Sequence, residues 1–317
     1  MTKWVLQLFY ICVAIFALIA CNSESPENGE TETESNGGKI NIVSTIAQIG
    51  EPIEVIGGDR VEVTSLMGPG VDPHLYEATQ GDISSLDQAE IIFYNGLNLE
   101  GNMEEIFEQM KKSKTTVALG ESLSEDQLLE DEDGAIDPHI WFDIDLWKVA
   151  LEAAVETLKE HSPDDAEYFE GNKEAYFEQL DELKEYAVET LNEIPEKQRV
   201  LVTAHDAFGY FGAMYHIDVV GLQGLSTEDE VGISDIQSTV DLLIDKQIPA
   251  VFVESSINEN TIQAVIDGAK ESGLDVSLGG ELYSDAMGEQ DTEEGTYLGM
   301  YRHNVDTIYT GLTKGEN

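Results

Sequence analysis

Basic residues are scarce in this chain. Its 317 residues include 16 lysines and arginines against 64 aspartates and glutamates, so the formal net charge is −48. Such a surface repels nucleic acid and anionic membrane surfaces and attracts cations. The composition therefore argues against a nucleic-acid partner. It also suits solubility in a salty or alkaline exterior, and it says nothing about the fold.

Cysteine is nearly absent, and the one long apolar run lies at the N-terminus. Residues 4–20 are apolar, follow Lys3 and end directly before Cys21 in the letters LIAC. The run is short for a membrane span of about 20 residues, and a polar tract follows it, which is typical of a signal peptide. LIAC resembles the bacterial lipobox, in which cleavage precedes a cysteine that receives lipid. Cys12 would leave with the signal, so no disulfide is expected. The alternative is an uncleaved anchor.

The rest of the chain divides into four segments. Residues 21–38 are polar and acidic and are expected to be a flexible tether. Residues 39–161 and 196–317 each contain four short β-rich runs that alternate with helical patterns, which predicts two α/β lobes with parallel sheets. The predicted strands are 40–44, 61–66, 91–95, 115–119, 199–204, 218–222, 250–255 and 275–280.

A long helix is predicted between the lobes at 162–195. Ser162 is a plausible N-cap and Pro163 suits the first helical position. Apolar residues then recur at helical spacing as far as Ile194. At 1.5 Å per residue, about thirty residues span roughly 45 Å. We therefore expect a rigid connector that runs alongside both lobes; a coiled coil is the alternative for this spacing.

The tripeptide Asp-Pro-His occurs twice, at 72–74 and at 137–139. Proline fixes its own φ and holds the preceding residue extended. Each turn therefore presents its histidine, His74 or His139, from a stiff backbone, as a preorganised metal ligand requires. A third histidine, His205, ends the run LVTAH, and Asp285 follows the last predicted strand. Ligands of open α/β sheets bind at the carboxyl ends of strands, where all four residues fall.

Three imidazoles and one carboxylate suit a first-row divalent cation, whereas magnesium and calcium prefer mostly oxygen ligands. The spacing alone leaves a structural role open for each histidine, because no local pair clips the four residues together. Structural roles are expected for the other three histidines, His161, His216 and His303. Glu254, Arg302 and His303 are candidates to steady the ligands from outside, or are simply internal pairs.

Several motifs together resemble the cluster A substrate-binding lipoproteins of zinc and manganese ABC transporters. They include GVDPHLYEAT, YNGLNLEGNMEE, DPHIWFDIDLW, LVTAHDAFGYFGAMY, GLQGLSTEDEVG, VFVESSINENT and GGELYSDAMG, and the resemblance extends over residues 39–312. It implies two (β/α)4 lobes joined by one long helix, with a metal buried between them. The ligand positions of that family correspond to His74, His139, His205 and Asp285.

The resemblance also implies a lipid-anchored, extracytoplasmic, monomeric protein that hands its metal to a membrane permease. The cargo is manganese or zinc. Manganese-selective members often carry glutamate where this chain has His205, and nitrogen there favours zinc. Dedicated zinc members often have a histidine-rich loop before the second Asp-Pro-His, but residues 120–137 contain no histidine. The motifs as a whole lean towards a manganese or mixed subgroup.

Two other functions remain alternatives at this stage. A zinc hydrolase would use the same ligands with a metal-bound water and Asp206 or Glu254 as the base. Such a site needs an open coordination position, whereas a capture site is served by enclosure. The lipobox, the tether and the two stiff lobes favour capture. A surface adhesin is the third possibility, for which no sequence feature specifies a partner.

Overall fold

The computed structural model describes residues 38–131, 133–228 and 230–313. The predicted signal segment, Cys21 and the tether up to residue 37 lie outside the described residues, so these predictions are not tested by the structure. Among the described residues, no helix is long and apolar enough to cross a bilayer.

The first half of the chain forms a parallel four-stranded sheet in the order β2-β1-β3-β4. β3 is buried throughout and β1 nearly so, as expected for continuous apolar strands covered on both faces. The strands are β1 (Ile40–Ser44), β2 (Val61–Ser65), β3 (Ile91–Tyr94) and β4 (Thr115–Ala118). The helices are α1 (Ala47–Gly57), α2 (Gln80–Gln88), α3 (Glu104–Met110) and α4 (Ile144–His161).

The second half also has four strands, but they pair as two parallel two-stranded sheets. One sheet joins β5 and β6 and the other joins β7 and β8, while β5 and β7 lie side by side. The strands are β5 (Val200–His205), β6 (Asp218–Gln223), β7 (Ala250–Glu254) and β8 (Ser277–Leu282). The helices are α6 (Gly209–Tyr215), α7 (Ile233–Lys246), α8 (Asn260–Glu271) and α9 (Tyr297–Thr313).

The predicted connecting helix is present as α5 (Ala166–Asn192), whose 27 residues span about 40 Å. It begins later than predicted. Pro163–Asp165 form a 3-10 turn, and Ser162 donates its hydroxyl to the carboxylate of Asp165 instead of capping a backbone N–H. The apolar stripe of the helix is buried at Phe169, Tyr176, Leu180, Leu183, Ala187 and Leu191. It packs against α1 and α4 of the first lobe and against α6 and α9 of the second.

Buried aromatic hydroxyls fasten the two lobes together on the α9 side. Tyr297 donates to the backbone oxygen of Trp141 at 2.6 Å, and Tyr301 donates to that of Phe142 at 2.9 Å. Both tyrosines are fully buried, so each bond replaces water that has been excluded. From Gly38 onward the chain forms one compact unit, and the division into lobes at residues 161/162 and 195/196 stays a prediction.

Glu51 of α1 is a carboxyl group whose ionised form is destabilised by burial. Burial raises its pKa to about 7, Glu54 adds repulsion, and the N–H of Tyr297, 3.1 Å from Oε2, lowers the pKa in part. Between about pH 4.5 and pH 7, Glu51 is therefore protonated in the folded protein but ionised in the unfolded chain. Consequently this group makes the protein less stable as the pH rises through that window.

We predict that Glu51→Gln stabilises the metal-free protein at pH 8 and not at pH 4.5. The amide keeps an oxygen for the N–H of Tyr297 but carries no charge, so the gain is on the order of 2 kcal/mol. Urea unfolding of wild type and variant at the two pH values measures it. Glu62→Gln, which removes an exposed carboxylate from β2, controls for the lower net charge. An equal gain in both variants would contradict the assignment to Glu51.

Candidate metal centre

The four predicted ligands all follow the carboxyl end of a strand. His205 is the last residue of β5, and Asp285 lies just beyond β8. His74 lies in the loop between β2 and α2, and His139 lies between β4 and α4. Two ligands therefore come from each lobe, and the structure brings all four together in one cluster.

The cluster is centred on the carboxylate of Asp285. His205 Nε2 lies 3.2 Å from Oδ2, His139 Nε2 lies 3.3 Å from Oδ1, and His74 Nε2 lies 3.6 Å from Oδ2. One ligand atom from each of the four residues lies within 4.8 Å of the others. The side chains are buried, with His74 the most exposed at 3%. Three ring nitrogens and one carboxylate therefore point towards the same position.

The converging atoms lack hydrogen-bond partners among the described residues. These atoms are Nε2 of His74, His139 and His205 and both carboxylate oxygens of Asp285. The three nitrogens lie 3.2–3.6 Å from the carboxylate oxygens but not in hydrogen-bond geometry, so one partner shared by all five atoms would satisfy them. A cation coordinated by all four side chains provides one. The donor set of three nitrogens and a carboxylate suits a first-row transition metal.

The Asp-Pro-His turns are stiffened further than proline alone would do. In each turn the aspartate accepts the backbone N–H of the histidine two residues later: Asp72 Oδ1 from His74 and Asp137 Oδ1 from His139, both at 2.9 Å. The aspartate thus closes a local turn on its own side chain. In both copies of the motif the imidazole therefore extends from a backbone turn that is held by proline and by a hydrogen bond.

Carboxylates hold the far ring nitrogens of two ligands. Asp137 Oδ1 lies 2.7 Å from Nδ1 of His139, and Glu254 Oε2 lies 2.5 Å from Nδ1 of His205. Glu254 also accepts the backbone N–H of His205 at 2.8 Å. A carboxylate on Nδ1 fixes the ring and turns Nε2 towards the metal position. The structure thus places Glu254 where the sequence predicted a supporting residue.

The pKa values of the ligand histidines are shifted in opposite directions. Burial lowers the pKa of His74 to about 4, so its ring is neutral near pH 7. Burial also lowers the pKa of His139, but attraction by Asp137 and Asp285 outweighs this and raises it to about 9. In a protein without metal, protons on such rings balance the carboxylates.

The same balance governs His205 and Asp285. Burial lowers the pKa of His205, but Glu254 and Asp285 raise it well above its ordinary value. Burial raises the pKa of Asp285, but the neighbouring His205 and His139 hold it well below its ordinary value. Asp285 therefore stays charged, which a cation-binding centre requires.

Arg302 makes an internal contact, which is the second of the two roles that the sequence left open for it. Its guanidinium lies 4.1 Å from the centre of the Tyr186 ring, so it packs on α5 by a cation–π contact. The same helix directs His303 to the backbone oxygen of Glu281 at 3.0 Å. The sequence alone could not show which face of α9 Arg302 occupies. His161 and His216 also stand outside the cluster of four.

Sequence reasoning missed two supports of the centre. One is Trp141, whose indole lies edge-on to His139 with ring centres 5.3 Å apart. Its Nε1 donates to the backbone oxygen of Ser284 at 3.2 Å, as does Nε2 of Gln48 at 3.1 Å. These first-lobe donors fix the residue directly before Asp285. No local sequence signal pairs residues so far apart, so only the fold could reveal them.

Comparison with known proteins agrees with this centre. The family described as "Zinc-uptake complex component A periplasmic" (ZnuA) matches residues 42–311. The chain belongs to this family. It is 46% identical over 303 residues to the manganese-binding lipoprotein MntA of Bacillus subtilis, covering 95% of this chain and 97% of that protein.

A second family member is similar in both sequence and structure. The zinc-binding protein TroA of Treponema pallidum is 41% identical over 304 residues, covering 96% of this chain and 98% of that protein. The solved structure titled periplasmic zinc binding protein TroA superposes with a TM-score of 0.85 and 44% identity, covering 87% of this chain and 99% of that one. The predicted family and the predicted two-lobed α/β fold are therefore confirmed.

We predict that Glu254→Gln weakens zinc binding by about 10–100-fold. The amide keeps the size of the side chain but loses the charge that stabilises the ring of His205 and orients its Nε2. Competition with a chelator of known affinity measures the change. Glu281→Gln, which removes an exposed carboxylate on β8, is the matched control. Equal affinity of both variants and the wild type would show that Glu254 does not support the ligand.

Proposed function

We propose that this protein captures a divalent transition metal, manganese or zinc, and delivers it to the membrane permease of an ABC importer. The observation that carries the proposal is the set of unpartnered nitrogens and oxygens of His74, His139, His205 and Asp285, buried and converging on one space. The metal is the cargo of the protein and is bound by these four side chains. The names of its relatives, a manganese-binding and a zinc-binding protein, support the same cargo.

The proposal includes the place of action. Relatives named as substrate-binding lipoproteins of metal and manganese ABC transporters support an extracytoplasmic protein anchored to the membrane. Cys21, in the LIAC motif, is the residue proposed to carry the lipid. The acidic segment that follows would tether the lobes to the bilayer surface. The permease is the partner, and the protein acts as a monomer.

Enclosure of the ligands favours capture over hydrolysis. The four side chains are at most 3% exposed, whereas a hydrolytic zinc needs a position open to water and substrate. Glu254, one of the two candidate bases, is already engaged with both the ring and the backbone N–H of His205. Relatives with names of transport proteins point the same way.

The central test is metal binding by a ligand variant. We expect His74→Ala to lower zinc affinity by about 100-fold or more, because losing a ligand costs at least as much as losing its outer support. Isothermal titration of the metal-free protein with zinc and with manganese measures this. His161→Ala is the matched control, since His161 faces Glu90 at 3.4 Å on the surface. Indistinguishable titrations of wild type and His74→Ala would refute the proposed site.

Ligand chemistry also predicts selectivity. Affinity for nitrogen-rich sites rises from manganese to zinc, so the isolated protein should hold zinc more tightly even if manganese is carried in the cell. His205→Glu replaces a neutral nitrogen by an anionic oxygen and should narrow the zinc preference. Competition titrations of zinc against manganese on both proteins measure this. A wild-type protein that prefers manganese would mean that the geometry of the lobes, and not ligand identity, sets selectivity.

A further inference from the structure

The two Asp-Pro-His turns use their aspartates differently. Both aspartates accept the N–H of their own histidine through Oδ1. In the second turn that same oxygen of Asp137 also holds the ring of His139 at 2.7 Å. In the first turn the other oxygen, Asp72 Oδ2, accepts the hydroxyl of Thr227 at 2.6 Å. The carboxylate of Asp137 therefore orients its own histidine ring, whereas the carboxylate of Asp72 reaches a distant side chain.

The bond between Asp72 and Thr227 joins the two lobes. Asp72 follows β2 of the first lobe, and Thr227 follows β6 of the second. Thr227 is only 8% exposed, and its backbone oxygen accepts Nε2 of Gln223 at 3.2 Å, which ties the loop to the end of β6. A hydrogen bond from a hydroxyl to a buried or half-buried carboxylate is stronger than a hydrogen bond between two neutral groups. The contact is therefore suited to hold the lobes together at this point.

The hydrogen bond between Asp72 and Thr227 lies close to His74, because Asp72 is two residues before this ligand. His74 is the most exposed of the four ligands and is the farthest from Asp285. It also lines a cavity of about 460 Å³, together with Leu97 of the first lobe and Gly224, Leu225 and Ser226 of the second. The last three residues directly precede Thr227. A metal that leaves through this cavity passes His74 and the lobe edges that the bond joins.

We propose that Asp72 is a positioning residue that latches the lobes over the bound metal. Through Oδ1 it fixes the backbone of His74, and through Oδ2 it fixes Thr227 of the opposite lobe. Seating of His74 is thereby coupled to closure of the lobes, so the bond slows release of the metal more than it affects capture. The inference rests on the proposed metal site.

The test separates release from capture. Zinc-loaded full-length protein is mixed with an excess of chelator, and the dissociation rate is followed by stopped flow; the association rate is measured separately. Thr227→Val keeps the shape of the side chain and removes the hydroxyl, so we expect release about tenfold faster and association changed less than about twofold. Thr227→Ser restores a hydroxyl and should return the rate towards that of the wild type. Thr239→Val removes a buried hydroxyl bond within α7 alone and is the matched control.

A double-mutant cycle tests whether the partner is Asp72. Asp72→Asn removes the charge that strengthens the bond and should also speed release, and the combination with Thr227→Val should release no faster than the faster single variant, because both changes act on one bond. Additive effects, or a rate for Thr227→Val equal to that of Thr239→Val, would overturn the latch. If Thr227→Val does not fold, Asp72→Asn decides, and a release rate equal to that of the wild type would overturn the latch. Wild-type protein that binds no zinc would instead refute the proposed function.

Discussion

The burial of the Asp285 carboxylate is the constraint on which the rest of the centre depends. A carboxylate that is 1% exposed has lost its water, which costs several kcal/mol unless positive charge and donors replace it. Its replacements come from both lobes, since His74 and His139 belong to the first and His205 to the second. In the closed arrangement the buried charge is therefore balanced by groups that the two lobes supply together.

The carboxylates of Asp137 and Glu254, which lie behind the ligands His139 and His205, add negative charge around the metal centre. Asp137 and Glu254 are each 2% exposed and lie against ring nitrogens, so together with Asp285 they place three acidic groups in one dry region. Raised pKa values at His139 and His205 show how protons balance this charge in a metal-free protein. A divalent ion balances it at the centre itself, where the Nε2 atoms point. Metal and protons thus compete for the same negative surroundings.

Local patterns in the sequence predicted most of the elements and the ligand positions. β1 spans the predicted residues because continuous apolar runs bounded by polar turns depend on neighbouring residues alone. The helix α5 begins at Ala166, three residues after the predicted first helical position, because Pro163–Asp165 form a 3-10 turn instead of α-helix. The pairing of the second set of strands and the place of Arg302 depend on distant contacts, which periodicity does not encode. Sequence therefore located the ligands but not what surrounds them.

The two Asp-Pro-His turns show where local information ends. Their shared letters fix the same backbone bond, from aspartate Oδ1 to the histidine N–H, because that bond involves only three residues. The remaining contacts are set by the tertiary surroundings. Asp137 is enclosed by Gly209, where a Cβ atom would approach Oδ2 to 2.6 Å, and its carboxylate stays with its own histidine. Asp72 faces the opposite lobe and finds Thr227. Both copies touch the second lobe, the second copy through the backbone oxygen of Asp137, which accepts the hydroxyl of Tyr210 at 3.0 Å. Only in the first copy does the aspartate carboxylate itself bind a side chain of the opposite lobe, so the repeated motif gains a second contact there.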